Sequence, residues 1–81
     1  MFRIYGPTDD LYVEKMASLC HRYGVEYEIC STEIEENLIY LYERGHYQVP
    51  QVFEDDQHIG SCDDLVEYIS LVRKIEMRRD K

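Results

Sequence analysis

The sequence predicts an α/β fold of order β-α-β-α-β-β-α, a mixed four-stranded sheet flanked by three helices. Three observations predict it. A short β-favouring run stops at a glycine-proline pair and is followed by helix-capping residues. An alternating second strand follows that helix. A hairpin-like segment then leads straight into a last capped helix.

The first strand is "FRIYG" (2–6), apolar and β-favouring, closed by the turn Gly6-Pro7. Thr8, Asp9 and Asp10 then offer N-cap oxygens and negative charge for a helix start. Leu11, Met16, Leu19, Cys20 and Tyr23 recur on one broad helical face, and Gly24 ends the helix. "VEYEIC" (25–30) alternates, placing Val25, Tyr27 and Ile29 on one side of a second strand. Ser31-Thr32 with Glu35 has the form of a capping box, opening a helix to about Arg44 with Ile34, Leu38 and Leu41 as its apolar positions and Gly45 as its stop. "PQVF" (50–53), "EDDQ" (54–57) and "HIG" (58–60) read as strand, turn, strand. Ser61 to Asp64 cap the last helix, whose buried stripe is Leu65, Val66, Ile69, Val72 and Ile75. A strand–helix–strand crossover makes the first pair parallel, whereas the hairpin is antiparallel.

The 81 residues are enough for one domain with a modest core, and 44% hydrophobic with 32% charged residues is an ordinary globular composition. No run approaches a membrane span, and "MFRIY" lacks a signal peptide's apolar segment, so the expected compartment is the cytoplasm. The net charge of −8 is uneven: residues 1–72 carry 15 acidic and 4 basic side chains, whereas residues 73–81 carry 5 basic and 2 acidic. The chain is therefore read as a domain over 1–72 and a basic extension of the last helix over 73–81. An acidic body argues against nucleic acid as the main ligand. The basic end could hold an acidic partner, but a solvated helix terminus explains it more simply. Cys20, Cys30 and Cys62 are odd in number, without Cys-x-x-Cys, and His21, His46 and His58 lack metal-ligand spacing, so neither a disulfide scaffold nor a metal site is expected.

One stretch narrows the fold. Val49-Pro50-Gln51-Val52-Phe53, an acidic turn, His58-Ile59-Gly60 and Asp63-Asp64-Leu65 together resemble the second half of a glutaredoxin. There a threonine-valine-proline, a hairpin and a glycine-glycine–aspartate run follow one another. "MFRIYG" is similar to the family's first strand, and the opening resembles the short glutaredoxins of large tailed phages. The resemblance spans about residues 2–72 and implies a thioredoxin-like fold. It also implies a cis bond at Pro50, with the backbone of Val49 free to pair with an extended peptide, glutathione in that family. The start of the last helix, Cys62 and Asp63, would meet the γ-glutamyl end. The ligand-binding set so implied is Tyr12, Gln48, Val49, Pro50, Gly60, Ser61, Cys62 and Asp63. A turn before a strand is the plainer reading of Pro50, and N-capping alone would account for Asp63 and Asp64.

The other half of a glutaredoxin site is replaced. Counted from Gly6, the family's cysteine-proline-tyrosine-cysteine falls on Asp10-Leu11-Tyr12-Val13, where only the tyrosine matches. Asp10 stands at the nucleophile position and Val13, a plain packing replacement, at the resolving one. The family's nearby cation falls on Pro7 or Thr8, and Ser61 replaces its second glycine. Thiol–disulfide exchange needs an attacking thiolate, which a carboxylate cannot replace. Asp10 reads first as an N-cap and second as a thiolate mimic presented to a partner.

Three functions follow. The first is a non-catalytic binding module using the groove beside Val49-Pro50 for an extended peptide, glutathione or a partner protein, a host protein if the chain is viral. Tyr12, Tyr42 and Tyr47 would offer contact area at its mouth. It needs no cofactor, and glutathione would be a ligand. The second is an oxidoreductase with Cys62 as a displaced nucleophile, its thiolate favoured by the helix dipole. The third is an acidic decoy of a basic surface.

Overall fold

The computed structural model describes the backbone of residues 1–79 and the side chains of residues 1–72. The elements are β1 (Phe2–Gly6), α1 (Leu11–Arg22), β2 (Tyr27–Ser31), α2 (Glu35–Glu43), β3 (Gln51–Glu54), β4 (Gln57–Gly60) and α3 (Cys62–Arg79). The sheet order is β2-β1-β3-β4. β1 runs parallel to β2 in the register Ile4↔Ile29, and antiparallel to β3 in the register Ile4↔Val52. β4 pairs antiparallel with β3, with a bulge between Val52 and Phe53. The basic side chains of 73–81, and Ile75 as the end of the buried stripe, lie outside the described side chains.

Strand alternation divides the core in two. Phe2, Ile4 and Val52 face α1 and α3, where they meet Val13, Met16, Cys20, Leu65 and Ile69. Tyr5 and Phe53 face α2 and meet Leu41. On this thinner side, aromatic rings replace aliphatic volume. Tyr5 stacks on Tyr40 at 4.9 Å, and Phe53 lies edge-on to both. His46 stacks on His58 at 3.9 Å beside Phe53.

Helix ends follow local chemistry. α1 and α2 both close in a Schellman motif on a left-handed glycine. Gly24 and Val25 donate to His21 and Cys20, while Gly45 and His46 donate to Tyr42 and Leu41. α2, however, begins later than the Ser31-Thr32-Glu35 pattern predicts. Ser31 is drawn into β2 by its pairing with Gly6, and its Oγ accepts from the Glu33 N–H. The N-cap is Ile34, which supplies no capping side chain. β2 also starts two residues later than expected, at Tyr27, and the hairpin turn tightens to Asp55-Asp56, with Asp55 at φ 54°.

Several apolar residues expected in the core are exposed: Leu11, Ile29, Ile34 and Val66. Leu11 and Ile34 belong to helix entries that overhang the sheet, Ile29 lies on an edge strand, and Val66 is turned off the stripe that Leu65 and Ile69 form. Val13, read as a packing residue, is fully buried.

Candidate functional site

Because β1 and β2 are parallel and β3 opposes them, the C-terminal ends of β1, β2 and β4 and the start of β3 meet at one edge of the molecule. The starts of α1, α2 and α3 follow from that same edge. There a hollow of about 260 Å³ is lined by Tyr12, Gln48, Val49, Pro50, Gln51, Ser61, Cys62 and Asp63. Of the ligand-binding residues expected from sequence, Gly60 alone is outside this lining, and Gln51 is added. A larger hollow, about 720 Å³, lies between β4 and the outer side of α3. It contains no thiol and none of the expected binding residues.

The Val49–Pro50 peptide is cis. Among the described residues, no turn, cap or loop hydrogen bond engages the N–H or C=O of Val49. The adjoining loop is held from behind: Gln51 Nε2 donates to the Gln48 carbonyl at 3.0 Å, and Gln51 Oε1 lies 2.7 Å from His58 Nε2. Sequence reasoning passed over Gln51. Strand alternation could have found it, since Gln51 shares a face with Phe53, whose register partner is His58.

At the entry to α1, Asp10 Oδ1 accepts from the N–H groups of Tyr12 at 2.7 Å and Val13 at 3.3 Å. The carboxylate is thus an N-cap, satisfying orphan donors at the positive end of the helix. Val13 is buried against Gly6: a Cβ built on Gly6 would lie 2.7 Å from Val13 Cγ2 and 3.1 Å from Pro50 Cβ. Neither Asp10 nor Val13 lines the hollow.

The start of α3 is a capping box in which Asp64 reaches back to Ser61, accepting its N–H at 2.9 Å and its hydroxyl at 3.1 Å. These bonds hold the Asp64 carboxyl below its ordinary value. Gly60 has φ 131°, and any Cβ there would collide with the Asp64 carboxylate. Gly60 therefore serves the site by making room for the cap.

Burial pushes the Cys20 thiol up to about 11. It also raises Cys30, with Glu28 adding to the effect. Cys62, the one thiol lining the hollow, is raised first by burial and then by Asp63, against a smaller lowering from Lys15. The helix start acts in the opposite direction, favouring the thiolate. Among the described residues, no group of three or more His, Cys, Asp or Glu side chains could hold a metal ion. No helix among them is long and apolar enough to cross a membrane. Tyr12, in the lining, is half-exposed, and the Tyr42 and Tyr47 rings lie tilted to each other at 5.4 Å, with Tyr47 73% exposed.

No family model and no curated protein matches the sequence. Solved structures do. A buckwheat glutaredoxin in complex with glutathione is similar over 94% of this chain and 74% of its own, at 23% identity and a TM-score of 0.72. Reduced Escherichia coli glutaredoxin is similar over 85% of this chain and 92% of its own, at 22% identity and a TM-score of 0.69. NrdH-redoxin, a glutaredoxin-like protein from Escherichia coli, covers 82% of this chain with 91% of its own, at 19% identity and a TM-score of 0.67. The chain is a thioredoxin-fold protein: a mixed sheet of order β2-β1-β3-β4 with α1 and α3 on one face and α2 on the other. Within that fold its form is glutaredoxin-like.

Proposed function

We propose that this glutaredoxin-like protein has no thiol chemistry at the family's position and acts as a binding module. Its groove beside Val49-Pro50 holds an extended peptide, either a segment of a partner protein or glutathione. The observation that carries this reading is the pairing of an open groove with an absent nucleophile. Val49 leaves its backbone groups unengaged by the loop, while the α1 entry carries a capping carboxylate in place of a thiol. An extended ligand would pair with the Val49 backbone like an added strand. Tyr12, Gln48 and Pro50 would border it. The N–H groups of Cys62 and Asp63 at the start of α3 would face its polar end, with the Asp63 carboxylate toward a cationic group. Gly60 contributes by leaving space for the Asp64 cap. The buckwheat relative is a glutathione complex, which makes glutathione the smallest ligand to try. No cofactor is required. The assigned compartment is the cytoplasm, that of a host if the chain is viral, with a host protein then the partner.

The alternative, an oxidoreductase using Cys62, has in its favour that Cys62 lines the groove. Burial and Asp63 both act against its thiolate. The deciding experiment is glutathione-dependent reduction of a small mixed disulfide, coupled to glutathione reductase, with the protein in excess. The expected rate is that of buffer alone. A clear rate above it would overturn the non-catalytic reading, and its loss in Cys62→Ser would place the reaction on that thiol.

A further inference from the structure

The charge around the groove narrows what can occupy it. The three segments that open the helices, residues 7–15, 32–36 and 61–67, leave the sheet at the edge where the groove lies and carry three carboxylates apiece, with Lys15 as their single basic residue. Helix N-termini attract acids, so each cluster has a local reason. The dipoles do not cancel the sum. Three helix ends supply roughly half a positive charge each, leaving a net of about −6.5 over the three segments, and the groove lining itself holds one carboxylate and no basic side chain. Two of the carboxylates are committed to caps, Asp10 on α1 and Asp64 on α3, whereas Asp63 lines the groove.

The mouth adds a second feature. Tyr47 directly precedes Gln48 and Val49 in the chain and is largely exposed, with the Tyr42 ring 5.4 Å from its own. Tyrosine faces in this molecule already receive cations: Lys15 Nζ lies 5.3 Å from the Tyr12 ring centroid, and Arg44 Cζ 3.4 Å from that of Tyr40. Open aromatic faces, an acidic rim and an unengaged backbone at Val49 together suit one kind of ligand.

We infer that the groove's occupant is a basic extended peptide, a strand-like segment of a partner protein bearing arginine or lysine, rather than glutathione. The inference rests on the groove reading above and adds the partner's charge to it. The peptide backbone pairs with Val49, a cationic side chain meets Asp63, and a second stacks on Tyr47. Glutathione carries two carboxylates against one ammonium and arrives as an anion, so the rim repels it. This charge complementarity would also raise the rate of encounter and weaken with salt.

The test uses the full chain and a short capped peptide alternating arginine with valine, beside a counterpart with glutamate in place of arginine. Affinity is followed by fluorescence anisotropy and the contact surface by amide chemical shifts. The arginine peptide should bind at least about ten-fold more tightly than the glutamate peptide at low salt, with the difference shrinking as salt is added. The shifts should centre on Val49, Gln51, Cys62 and Asp63. Asp63→Asn, which removes no capping bond, should weaken the arginine peptide several-fold and leave the glutamate peptide unchanged or improved. Equal binding of the two peptides at the groove would overturn the charge selection and leave the groove reading standing. Arginine-peptide binding with shifts away from Val49 and Cys62 would overturn the groove as its seat and favour a diffuse acidic decoy. Failure of both peptides to shift the groove amides would overturn both readings.

Discussion

Gly6 sits where β1, α1 and the Val49-Pro50 loop crowd together. Its missing side chain is what lets Val13 and Pro50 close over the end of the strand. Gly6→Ala should therefore cost about 1–3 kcal/mol through overpacking. Val13→Ala costs stability by leaving a cavity, yet in that background Gly6→Ala should cost less. A denaturant double-mutant cycle should show coupling of about 1 kcal/mol or more. Additive costs would mean that Pro50 alone sets the limit. Asp64 gives a pH-dependent counterpart. Its folded carboxyl lies below the unfolded value of 3.8, because the Ser61 N–H and then the Ser61 hydroxyl favour the charged form. The cap's contribution is thus complete above that pH and is lost as pH falls through the lower folded value. Asp64→Asn should lower stability at neutral pH and flatten the acid limb of a urea-midpoint titration. An unchanged acid limb would remove Asp64 from the account.

At the scale of elements, α2 is the weakest. It has nine residues, one buried side chain, Leu41, and an N-cap without a capping oxygen. Ile34 occupies that position half-exposed, so Ile34→Ser would exchange an idle apolar side chain for an acceptor. It should stabilise the protein by about 0.5–1 kcal/mol, read from the denaturant midpoint. Hydrogen exchange should find the α2 amides opening before those of α1 or α3, because fewer buried contacts hold them. Protection of α2 equal to that of α1 would contradict this ranking. The stacked His46–His58 pair lies on the same face. His58 is lowered first by burial and then by His46, so protonating it loosens the aromatic cluster as pH falls through and below about 6.5.

Across the whole molecule, like charges outnumber the pairs that could relieve them. Among the described residues the ion pairs are Arg3–Glu28 and the N-terminal amine with Asp55, both exposed and each worth little. Against them stands the −11 balance of residues 1–72, self-repelling in the compact state. Moderate monovalent salt should therefore raise the melting temperature, because screening relieves more repulsion than attraction. A lower melting temperature in salt would show that local pairs outweigh the global field. The same field makes any basic-peptide binding salt-sensitive, so stability and affinity should respond to ionic strength in opposite directions.

The element order, the hairpin, the glycine stops of α1 and α2 and the capped start of α3 were all legible in the sequence. Each depends on residues within a few positions of one another: Gly24, Gly45, Ser61 with Asp64, and the alternation of "VEYEIC". The residues of the groove were readable because a local run, Val49-Pro50 to Asp63-Asp64, carries most of them. What sequence alone misplaced was decided by distant partners. Ser31 left its capping box for strand pairing with Gly6, and Leu11, Ile34 and Val66 are exposed because their faces meet no neighbour. Val13, legible as a packing residue, found its particular partner only in the fold, where Gly6 leaves room for it. Gln51 joined the groove wall through His58, seven residues away across a hairpin. The Cys62 thiol illustrates the same division. Its helix start is a local feature that favours the thiolate, whereas the burial that opposes it exists only once α1, α3 and the Pro50 loop have closed around it.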